Sequence, residues 1–185
     1  LTGCNEIGYV LGDSPINKSL QSSCLGDDKW LLNKSGDKPL LINGLGYNPY
    51  SEIRNKIFDI YKSHGFEFLT MIHPSAHISK TAKLETGVQV MAGSVIQANS
   101  VIKSNTIINT HSSIDHDCFI DSGSHIAPGS IICGNVTIGQ RSFIGASTCI
   151  IPGIDVGSNV LIGAGTTVIK NIPDNTSYFN KNIKG

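Results

Sequence analysis

The middle of the chain carries a branched aliphatic residue at every sixth position, and this frame does not slip between residues 72 and 168. The residue four places after each aliphatic is usually small or β-branched, and the residue three places after it is often Gly or Asn. Gly and Asn tolerate a positive φ and therefore suit tight turns. An amphipathic helix needs apolar residues at intervals of three and four, so a period of six argues against a helix. The aliphatic frame comprises Ile72, Ile78, Leu84, Val90, Ile96, Ile102, Ile108, Ile114, Ile120, Ile126, Ile132, Ile138, Ile144, Ile150, Val156, Ile162 and Val168.

The period of six predicts short strands that are joined by turns at the corners of a coil. Three hexads make one triangular coil of eighteen residues, and successive coils stack at the strand spacing of about 4.8 Å. The aliphatic and the small residue of each hexad are expected to point inward. A repeat this regular outweighs other fold signals, and we predict a parallel β-solenoid over residues 72–173.

The first part of the chain has a different pattern. Three apolar runs, at residues 6–11, 40–43 and 66–72, predict strands, and a helix is expected between the last two. A strand, a helix and a strand predict a small parallel sheet of the Rossmann-like kind. No GxGxxG turn is present, and the chain opens as if the first strand and helix of such a domain were missing. The predicted helix has its N-cap at Ser51, its C-cap at Gly65 and an inward face of Ile53, Ile57, Ile60 and Tyr61.

The composition narrows the range of partners. Lys and Arg number 14, as do Asp and Glu, so the formal net charge is zero. This balance favours neither nucleic acid nor an anionic membrane surface as a partner. No apolar run approaches the roughly 20 residues that span a bilayer, and the first residues lack the features of a signal peptide. The five cysteines form no CxxC pair, which favours reduced thiols and a cytoplasmic location.

Histidine and aspartate replace the usual turn residues in one coil, at residues 108–125. His111 and Asp117 stand where most hexads have Gly or Asn, and His116 precedes Asp117. A neutral imidazole can take a proton near pH 7, and a carboxylate can orient the ring or stabilise its protonated form. The corner of the hexad is expected to bring His116 and Asp117 together. They are therefore a candidate general base and its partner; the alternative is a pair of solvated corner residues.

Two segments carry a resemblance to a known family: residues 73–76 (HPSA) and residues 108–139 (INTHSSIDHDCFIDSGSHIAPGSIICGNVTIG). With the preceding strand–helix–strand unit, they closely resemble the sialic acid O-acetyltransferase and UDP-4-amino-sugar N-acetyltransferase family of bacterial sugar acyltransferases. The resemblance implies a left-handed parallel β-helix, although the general crossover rule favours the right hand. It also implies a partial Rossmann-like domain that binds a sugar nucleotide over residues 1–71, an acyltransferase domain over 72–173 and a C-terminal tail over 174–185.

The resemblance further implies that acetyl-CoA is the acyl donor and that the protein is a homotrimer with its sites between subunits. It assigns His116 as the base, Asp117 as its support, and the N–H of Gly134 as the donor that stabilises the oxyanion. The residues expected along acetyl-CoA are His125, Gly134, Ala146 and Ala164. A simple turn at Gly134 and a hydrogen-bonded corner residue at His125 are the alternatives.

The favoured acceptor is the amino group of a nucleotide-linked 4-amino-deoxy sugar, used for surface or glycoprotein glycans. Asp13 is the candidate contact for the nucleotide. Asn109 and His111 are candidates for the sugar, with solvated turn residues as the alternative. O-acetylation of a sialic acid is the second hypothesis, but its carboxylate needs a cationic partner, for which Arg141 and Lys103 are weak candidates.

Two other classes of protein remain as alternatives. No His or Cys spacing matches a zinc site, so we expect no metal. A carbonic-anhydrase-like enzyme on the same β-helix, with zinc at its subunit boundaries, is a minor alternative. A non-catalytic β-helix scaffold is the other alternative, since such a scaffold needs stacked hexads but no His–Asp pair at a corner.

Overall fold

The computed structural model of the chain describes residues 9–11, 24–33 and 36–179. Asp13, the predicted nucleotide contact, lies outside these residues. The strands are β1 Tyr9–Leu11, β2 Cys24–Asp27, β3 Met71–Ile72, β4 His77–Ile78, β5 Lys83–Leu84, β6 Gln89–Val90, β7 Val95–Ile96, β8 Val101–Ile102, β9 Ile107–Ile108, β10 Ser113–Ile114, β11 Phe119–Ile120, β12 His125–Ile126, β13 Ile131–Ile132, β14 Thr137–Ile138, β15 Phe143–Ile144, β16 Cys149–Ile150, β17 Asp155–Val156, β18 Leu161–Ile162, β19 Thr167–Val168 and β20 Ser177–Tyr178. The helices are α1 Asp28–Leu32 and α2 Ile53–Ser63. No helix among the described residues is both long and apolar enough to cross a membrane.

Strands β3 to β20 form three parallel sheets, which are the three faces of a solenoid. The first face has 7 strands, in the order β20-β18-β15-β12-β9-β6-β3. The second face has 6 strands, β19-β16-β13-β10-β7-β4, and the third has 5, β17-β14-β11-β8-β5. Each strand pairs with the strand one coil away, as Ser113 does with Ile131. The predicted parallel β-solenoid is confirmed, with about 6 turns.

The interior consists of the aliphatic frame and the small residues of each hexad. Ile126 is 0% exposed, and so are most of the other frame residues. Many of the small residues are Ser or Thr, and their hydroxyls bond to the backbone of the next coil. Ser112 Oγ donates to the carbonyl of Ala127 at 2.9 Å, and Ser124 Oγ donates to that of Gly139 at 2.9 Å. Because a buried hydroxyl needs such a partner, serine can stand inside the solenoid at this position of the hexad.

Turns with a positive φ separate the faces and define three edges of the solenoid. Edge 1/2, between the first and second faces, carries His111 at φ 55°. Edge 2/3 carries Asp117 at φ 57°, and edge 3/1 carries Arg141 at φ 56°. Gly or Asn occupies most of the other corners, as the hexad pattern predicts. The left-handed conformation is uncommon for His, Asp and Arg, so these corners need a further explanation.

The end of the described chain extends the first face. Ile162 pairs with Tyr178, a step of sixteen residues in place of eighteen, and Val156 bridges in parallel to Ile172. The hexad frame therefore shortens by two residues after Val168. Residues up to 179 continue the stack, and the division of the chain at residues 71 and 173 stays a prediction.

The part of the chain before the solenoid contains two paired strands, a parallel bridge and an apolar cluster. Strands β1 and β2 pair in parallel, and an isolated parallel bridge joins Leu41 to Phe68. Glu52, rather than the predicted Ser51, holds the N-cap position of α2, and its side chain makes no capping hydrogen bond. The apolar cluster consists of Leu31, Phe58, Tyr61, Phe66 and Phe68.

The inward face of helix α2 agrees with the pattern only in part, since Tyr61 is buried and Ile57 packs against the apolar cluster. Ile53 and Ile60 were expected inside, but they are 51% and 42% exposed. Arg54 and Asn55 are buried in their place, together with the aromatic residues of the apolar cluster. The reason is the polar surface that α2 meets on edge 3/1, where Asn55 Oδ1 accepts a hydrogen bond from Asn105 Nδ2 at 2.8 Å.

Polar contacts hold α2 and the preceding loop against edge 3/1. Arg141 forms a salt bridge with Asp59 of α2 at 3.1 Å, and the hydroxyl of Tyr47 donates to the carbonyl of Arg141 at 3.0 Å. A Cβ at Gly123 would lie 2.6 Å from Asn55 Oδ1. The helix therefore approaches this edge as closely as a glycine allows, and the contact fixes the position of the loop over the first face.

Candidate active site

His116 and Asp117 contact each other at a corner of edge 2/3. The positive φ of Asp117, 57°, folds the backbone so that His116 Nδ1 lies 2.8 Å from Asp117 Oδ2. The other carboxylate oxygen of Asp117 accepts a hydrogen bond from Asn99 Nδ2, one coil below, at 3.1 Å. Asn99 was not among the predicted site residues. Its position eighteen residues before Asp117 nevertheless indicates that the two corners stack on each other.

The two side chains shift each other's pKa in opposite directions. The hydrogen bond that His116 donates to Asp117 raises the pKa of His116 above its usual value, and the charge of Asp115 adds to this shift. The pKa of Asp117 is lowered by the hydrogen bond with His116 and then by that with Asn99. Both side chains are more than half exposed. Since Asp117 accepts from Nδ1–H, Nε2 of His116 is the nitrogen that is left to accept a proton.

Gly134 lies one coil above His116 and directly against its ring. A Cβ at Gly134 would lie 2.7 Å from both Cε1 and Nε2 of His116, so only glycine leaves room for the imidazole. At other corners an Asp or Asn side chain accepts the corresponding N–H, as Asp115 Oδ1 does from His116 N at 2.9 Å. Cys133 stands in that place before Gly134. The N–H of Gly134 consequently has no acceptor among the described residues, and Gly134 itself packs against the ring of His116.

Ala146 and Ala164 form a column of small residues on edge 1/2, with Pro128 below them. The N–H of Gly165 donates to the carbonyl of Ala146 at 2.8 Å, and that of Ser147 donates to Pro128 at 2.9 Å, which fixes the stacking that the period of eighteen predicts. Pro128 and Ala164 are exposed, and Ala146 is half-buried. This column of small residues lies on an edge that does not contain His116.

His111 and Asn109 lie one coil below Pro128, His111 on edge 1/2 and Asn109 on the first face beside it. His111 is exposed at the corner of edge 1/2, and its ring lies against Gly93 of the coil below. Asn109 follows β9 on the first face, and its Nδ2 lies 3.2 Å from Nε2 of His125. The structure therefore brings Asn109 and His125 together, while His111 stands at the neighbouring edge.

His125 is buried in a strand and is not a corner residue. It begins β12 on the first face and is 7% exposed. Tyr47 covers it in a T-shaped contact with ring centroids 5.1 Å apart, and Phe143 lies 5.3 Å away. Burial lowers the pKa of His125 to about 4, and the charge of Arg54 contributes. Tyr47 was not predictable from the sequence, because its contact with the solenoid joins residues that are far apart in the chain.

The predicted candidates of the coil at residues 108–125 lie on different parts of the solenoid. His111, His116, Asp117 and His125 were expected together at outward positions of one coil. They do share that coil, but His111 is on edge 1/2 and His116 is on edge 2/3. His125 belongs to strand β12 of the first face, which lies opposite edge 2/3. A single chain therefore does not assemble them into one pocket, because the faces of the solenoid hold them apart.

Comparison with known proteins identifies the family. The profile described as "Hexapeptide repeat of succinyl-transferase" matches residues 135–170. The acetyltransferase domain of PglB from Neisseria gonorrhoeae FA1090, solved with acetyl coenzyme A, is 32% identical, with a TM-score of 0.85 over 95% of this chain and 84% of that one. PerB from Caulobacter crescentus, solved with CoA and GDP-perosamine, is 35% identical, with a TM-score of 0.79 over 87% of this chain and 77% of that one. The chain belongs to the hexapeptide-repeat acetyltransferases.

The fold of this acetyltransferase extends to a more distant protein. WeeI from Acinetobacter baumannii AYE is 19% identical and has a TM-score of 0.78 over 92% of this chain and 81% of that one, which shows a shared fold. Within the part of the acetyltransferase that the structure describes, no group of three or more His, Cys, Asp or Glu side chains is placed to hold a metal ion.

Proposed function

We propose that this acetyltransferase moves the acetyl group of acetyl-CoA to the amino group of a nucleotide-linked 4-amino-deoxy sugar. Its similarity to the PglB domain, which was solved with acetyl coenzyme A, supports the donor. Its similarity to PerB, which was solved with CoA and GDP-perosamine, supports the acceptor. The observation that carries the proposal is the contact of His116 with Asp117 beside Gly134, whose N–H has no acceptor among the described residues.

In the proposed reaction, His116 is the general base. Its Nε2 takes a proton from the acceptor amine as the amine nitrogen bonds to the thioester carbon. Asp117 holds Nδ1–H in place and stabilises the imidazolium that forms. When the carbon–sulfur bond breaks, the proton passes from Nε2 to the thiolate of coenzyme A, so that His116 is neutral again for the next turnover.

The N–H of Gly134 is the proposed donor to the oxyanion. The thioester oxygen gains negative charge when the amine adds, and a fixed N–H stabilises that charge without reorganisation. Gly134 fits this role because its N–H has no acceptor among the described residues and because the residue packs against the Cε1–Nε2 edge of the His116 ring.

Completion of the proposed site needs more than one chain. We assign Ala146 and Ala164 to the pantetheine arm of acetyl-CoA, but they lie on edge 1/2, whereas His116 is on edge 2/3. A homotrimer in which edge 1/2 of one subunit faces edge 2/3 of the next brings the two halves together. Ile131 and Phe119, which flank edge 2/3, are 50% and 37% exposed, and a neighbouring subunit would cover these apolar side chains.

The cations near the first and third faces favour an amine acceptor over a sialic acid. Arg141 forms a salt bridge with Asp59 at 3.1 Å, and Lys103 is paired with Glu85. Both of the cations that were weak candidates for a substrate carboxylate therefore already have an acidic partner. The proposal accordingly names a sugar amine, with Asn109 and His111 as contacts for the sugar.

Three finer features belong to the same proposal. The left hand of the β-helix rests on the resemblance in sequence. The Rossmann-like character of the residues before the solenoid is supported by the parallel pairing of β1 with β2, and Asp13 stays the predicted nucleotide contact. A cytoplasmic location agrees with the free thiols of Cys118, Cys133 and Cys149.

The first test is the release of thiol from acetyl-CoA with a panel of acceptors. The panel contains UDP-, dTDP- and GDP-linked 4-amino sugars and free sialic acid. Turnover with an amino-sugar nucleotide alone supports the proposal and identifies the nucleotide. Turnover with sialic acid alone would support acetyl-CoA as the donor and contradict the proposed amino-sugar acceptor. Failure to bind coenzyme A would contradict the proposed acetyl transfer altogether.

The variant His116→Ala tests whether the protein is an enzyme or a non-catalytic β-helix scaffold. The side chain of His116 is exposed, so its removal should leave folding and assembly intact. We expect turnover to fall by at least about a hundredfold, which is the lower end of what a general base contributes. Exposed Lys80, two coils below on the same edge, provides the matched control as Lys80→Ala. Equal turnover of the two variants would contradict the assignment of His116.

A further inference from the structure

The hydrogen atoms of the Asn109–His125 pair can be assigned from the neighbouring backbone. Asn109 Oδ1 lies 2.7 Å from the backbone nitrogen of Thr110 and 3.3 Å from its hydroxyl. A backbone N–H can only donate, so the atom of Asn109 that faces Thr110 must be the oxygen. The amide nitrogen Nδ2 therefore faces His125, at 3.2 Å from Nε2.

This orientation determines the tautomer of His125. The amide nitrogen of Asn109 can only donate, so Nε2 of His125 must be the unprotonated nitrogen that accepts. The single ring hydrogen of the neutral imidazole is then on Nδ1. Nδ1 is buried and has no partner among the described residues. The Nε2–H tautomer is less stable in this position, because its N–H would point at an N–H of Asn109.

The surroundings of His125 keep it neutral. Tyr47 and Phe143 cover the ring, and the first face of the solenoid lies beneath it. Arg54 of α2 is the charged group that affects it, and a positive neighbour disfavours a second proton. Among the described residues, no carboxylate contributes to the pKa of His125. The imidazole is therefore unsuited to exchange protons near neutral pH.

We propose that His125 is a positioning residue: held as the neutral Nδ1–H tautomer, it accepts one N–H of Asn109 and thereby aims the other N–H of that amide at the acceptor sugar. The last step rests on the function proposed above. Asn109 is half-buried, whereas His125 is covered by Tyr47, so Asn109 is the member of the pair that a ligand can reach. This role differs from the contact with acetyl-CoA that the resemblance implies for His125.

The tautomer is tested on the unmodified protein by nitrogen NMR of ¹⁵N-histidine-labelled enzyme. The signals of His125 are identified by their loss in His125→Gln. We expect a protonated Nδ1 and an unprotonated Nε2, with no titration from pH 8 down to pH 5. A protonated Nε2, or a titration between pH 6 and pH 7, would overturn the proposal. This measurement needs neither a substrate nor turnover.

The Tyr47 ring covers His125, and its removal provides a second spectroscopic test. Tyr47→Ala opens the ring of His125 to water, and its pKa should rise toward the usual value near 6.5. Tyr47→Phe is the matched control, since it keeps the ring and removes only the hydroxyl that bonds to Arg141. His125 should stay neutral at pH 5 in the phenylalanine variant. A pKa near 6.5 in both variants would show that burial by the aromatic ring is not what keeps the imidazole neutral.

The positioning role is tested by kinetics with two substitutions of His125. Leucine at this position removes the acceptor for Asn109, and we expect the KM for the acceptor sugar to rise roughly three- to tenfold, as for one lost hydrogen bond. Glutamine offers a side-chain oxygen to the same N–H, so the KM for the acceptor sugar should return much of the way to that of the unmodified enzyme. The KM for acetyl-CoA and the pH profile should match those of the unmodified enzyme in both variants.

The possible outcomes separate this inference from the proposed function. An equal loss in His125→Gln and His125→Leu, or a change of the pH profile, would overturn the positioning role even if both variants fold. If no sugar in the panel is acetylated, the proposed function fails. The NMR result then still decides the tautomer of His125, because it does not depend on the acceptor.

Discussion

The imidazole of His116 and the Cα of Gly134 are packed together on adjacent coils of edge 2/3. A Cβ at residue 134 would lie 2.7 Å from Nε2 of His116, closer than non-bonded atoms approach. The φ of Gly134 is not in the left-handed region, so the glycine is needed there for space and not for backbone freedom. Side-chain volume at this position therefore controls where the proposed base stands.

Gly134→Ala should lower turnover with little change in stability. The exposed ring of His116 can swing away from the new methyl group, and it then loses its bond to Asp117. A displacement of about 1 Å from a reacting centre can cost around a hundredfold in rate, which is the loss we expect. The measurement is kcat together with the temperature of unfolding.

Gly44→Ala is the matched control for Gly134→Ala. A Cβ at Gly44 has nothing within 4 Å, and its φ is likewise outside the left-handed region. This variant should retain full turnover. Unchanged turnover in Gly134→Ala as well would show that the position of His116 does not matter for the reaction.

Asp117→Asn should shift the pH profile of the enzyme to lower pH. The hydrogen bond that His116 donates to Asp117 raises the pKa of His116. Because a general base works only above its pKa, the activity of the unmodified enzyme should fall as the pH drops through a value above 6.5. Removal of the carboxylate lowers that pKa toward 6.5 and extends the neutral form of His116 to more acidic pH. The maximal rate should fall at the same time, because the imidazolium loses its support.

The pH dependence of kcat/KM checks this shift, with Asp155→Asn as the control. Asp155 is exposed at β17 of the third face, away from His116, so its variant should reproduce the original profile. An acid limb of Asp117→Asn at the same or a higher pH than that of the unmodified enzyme would rule out His116 as the titrating base.

The sequence was sufficient to predict what repeats in the solenoid. Ile126 and its equivalents point inward because their spacing of six matches one face per hexad. The corner at Asp117 was predictable for the same reason, since its offset is the one that Gly or Asn fills elsewhere. Local spacing determines both features, and it does not depend on any distant part of the chain.

The burial of His125 was not predictable, because it depends on residues that are distant in the chain. Its offset in the hexad points outward from the strand, where exposure is expected. The side chain is buried because the loop with Tyr47 folds over the first face, and Tyr47 bonds to Arg141, 94 residues away in sequence. The exposure of Ile53 and Ile60 on α2 has the same origin, since Asn55 turns inward to meet Asn105.

Ala164→Leu should weaken the binding of acetyl-CoA without affecting the base. Ala164 is exposed at the top of the small-residue column on edge 1/2, and a larger side chain would fill the proposed groove for pantetheine. We expect the KM for acetyl-CoA to rise about tenfold, equivalent to roughly 1.4 kcal/mol of lost binding, while the pH profile stays unchanged. Steady-state kinetics with varied acetyl-CoA measure this.

Lys80→Leu adds the same side chain at an exposed position outside the groove and should leave this KM unchanged. If Ala164→Leu and Lys80→Leu have the same KM for acetyl-CoA, the groove on edge 1/2 does not hold the donor. The unfolding temperatures of the two variants show whether a change in KM comes from a loss of structure.

Gly123→Ala should loosen the attachment of α2 to the solenoid. The φ of Gly123 is +68°, and a Cβ there would lie 2.6 Å from Asn55 Oδ1. The substitution therefore combines backbone strain, about 1–2 kcal/mol for an L-residue in this conformation, with a clash against the helix. Hydrogen exchange of the α2 amides should show reduced protection, and the temperature of unfolding should fall.

Gly129→Ala isolates the contribution of the backbone strain. Gly129 has the same φ, +68°, but a Cβ there would meet only Ser147 Oγ at 3.6 Å, an ordinary contact. This variant should lose stability from strain and keep the protection of α2. Adding Asn55→Ala to Gly123→Ala removes the clash, so the difference between the two glycine variants should shrink in that background. If Gly123→Ala and Gly129→Ala leave α2 equally protected, the close approach of Asn55 to edge 3/1 is not what holds the helix.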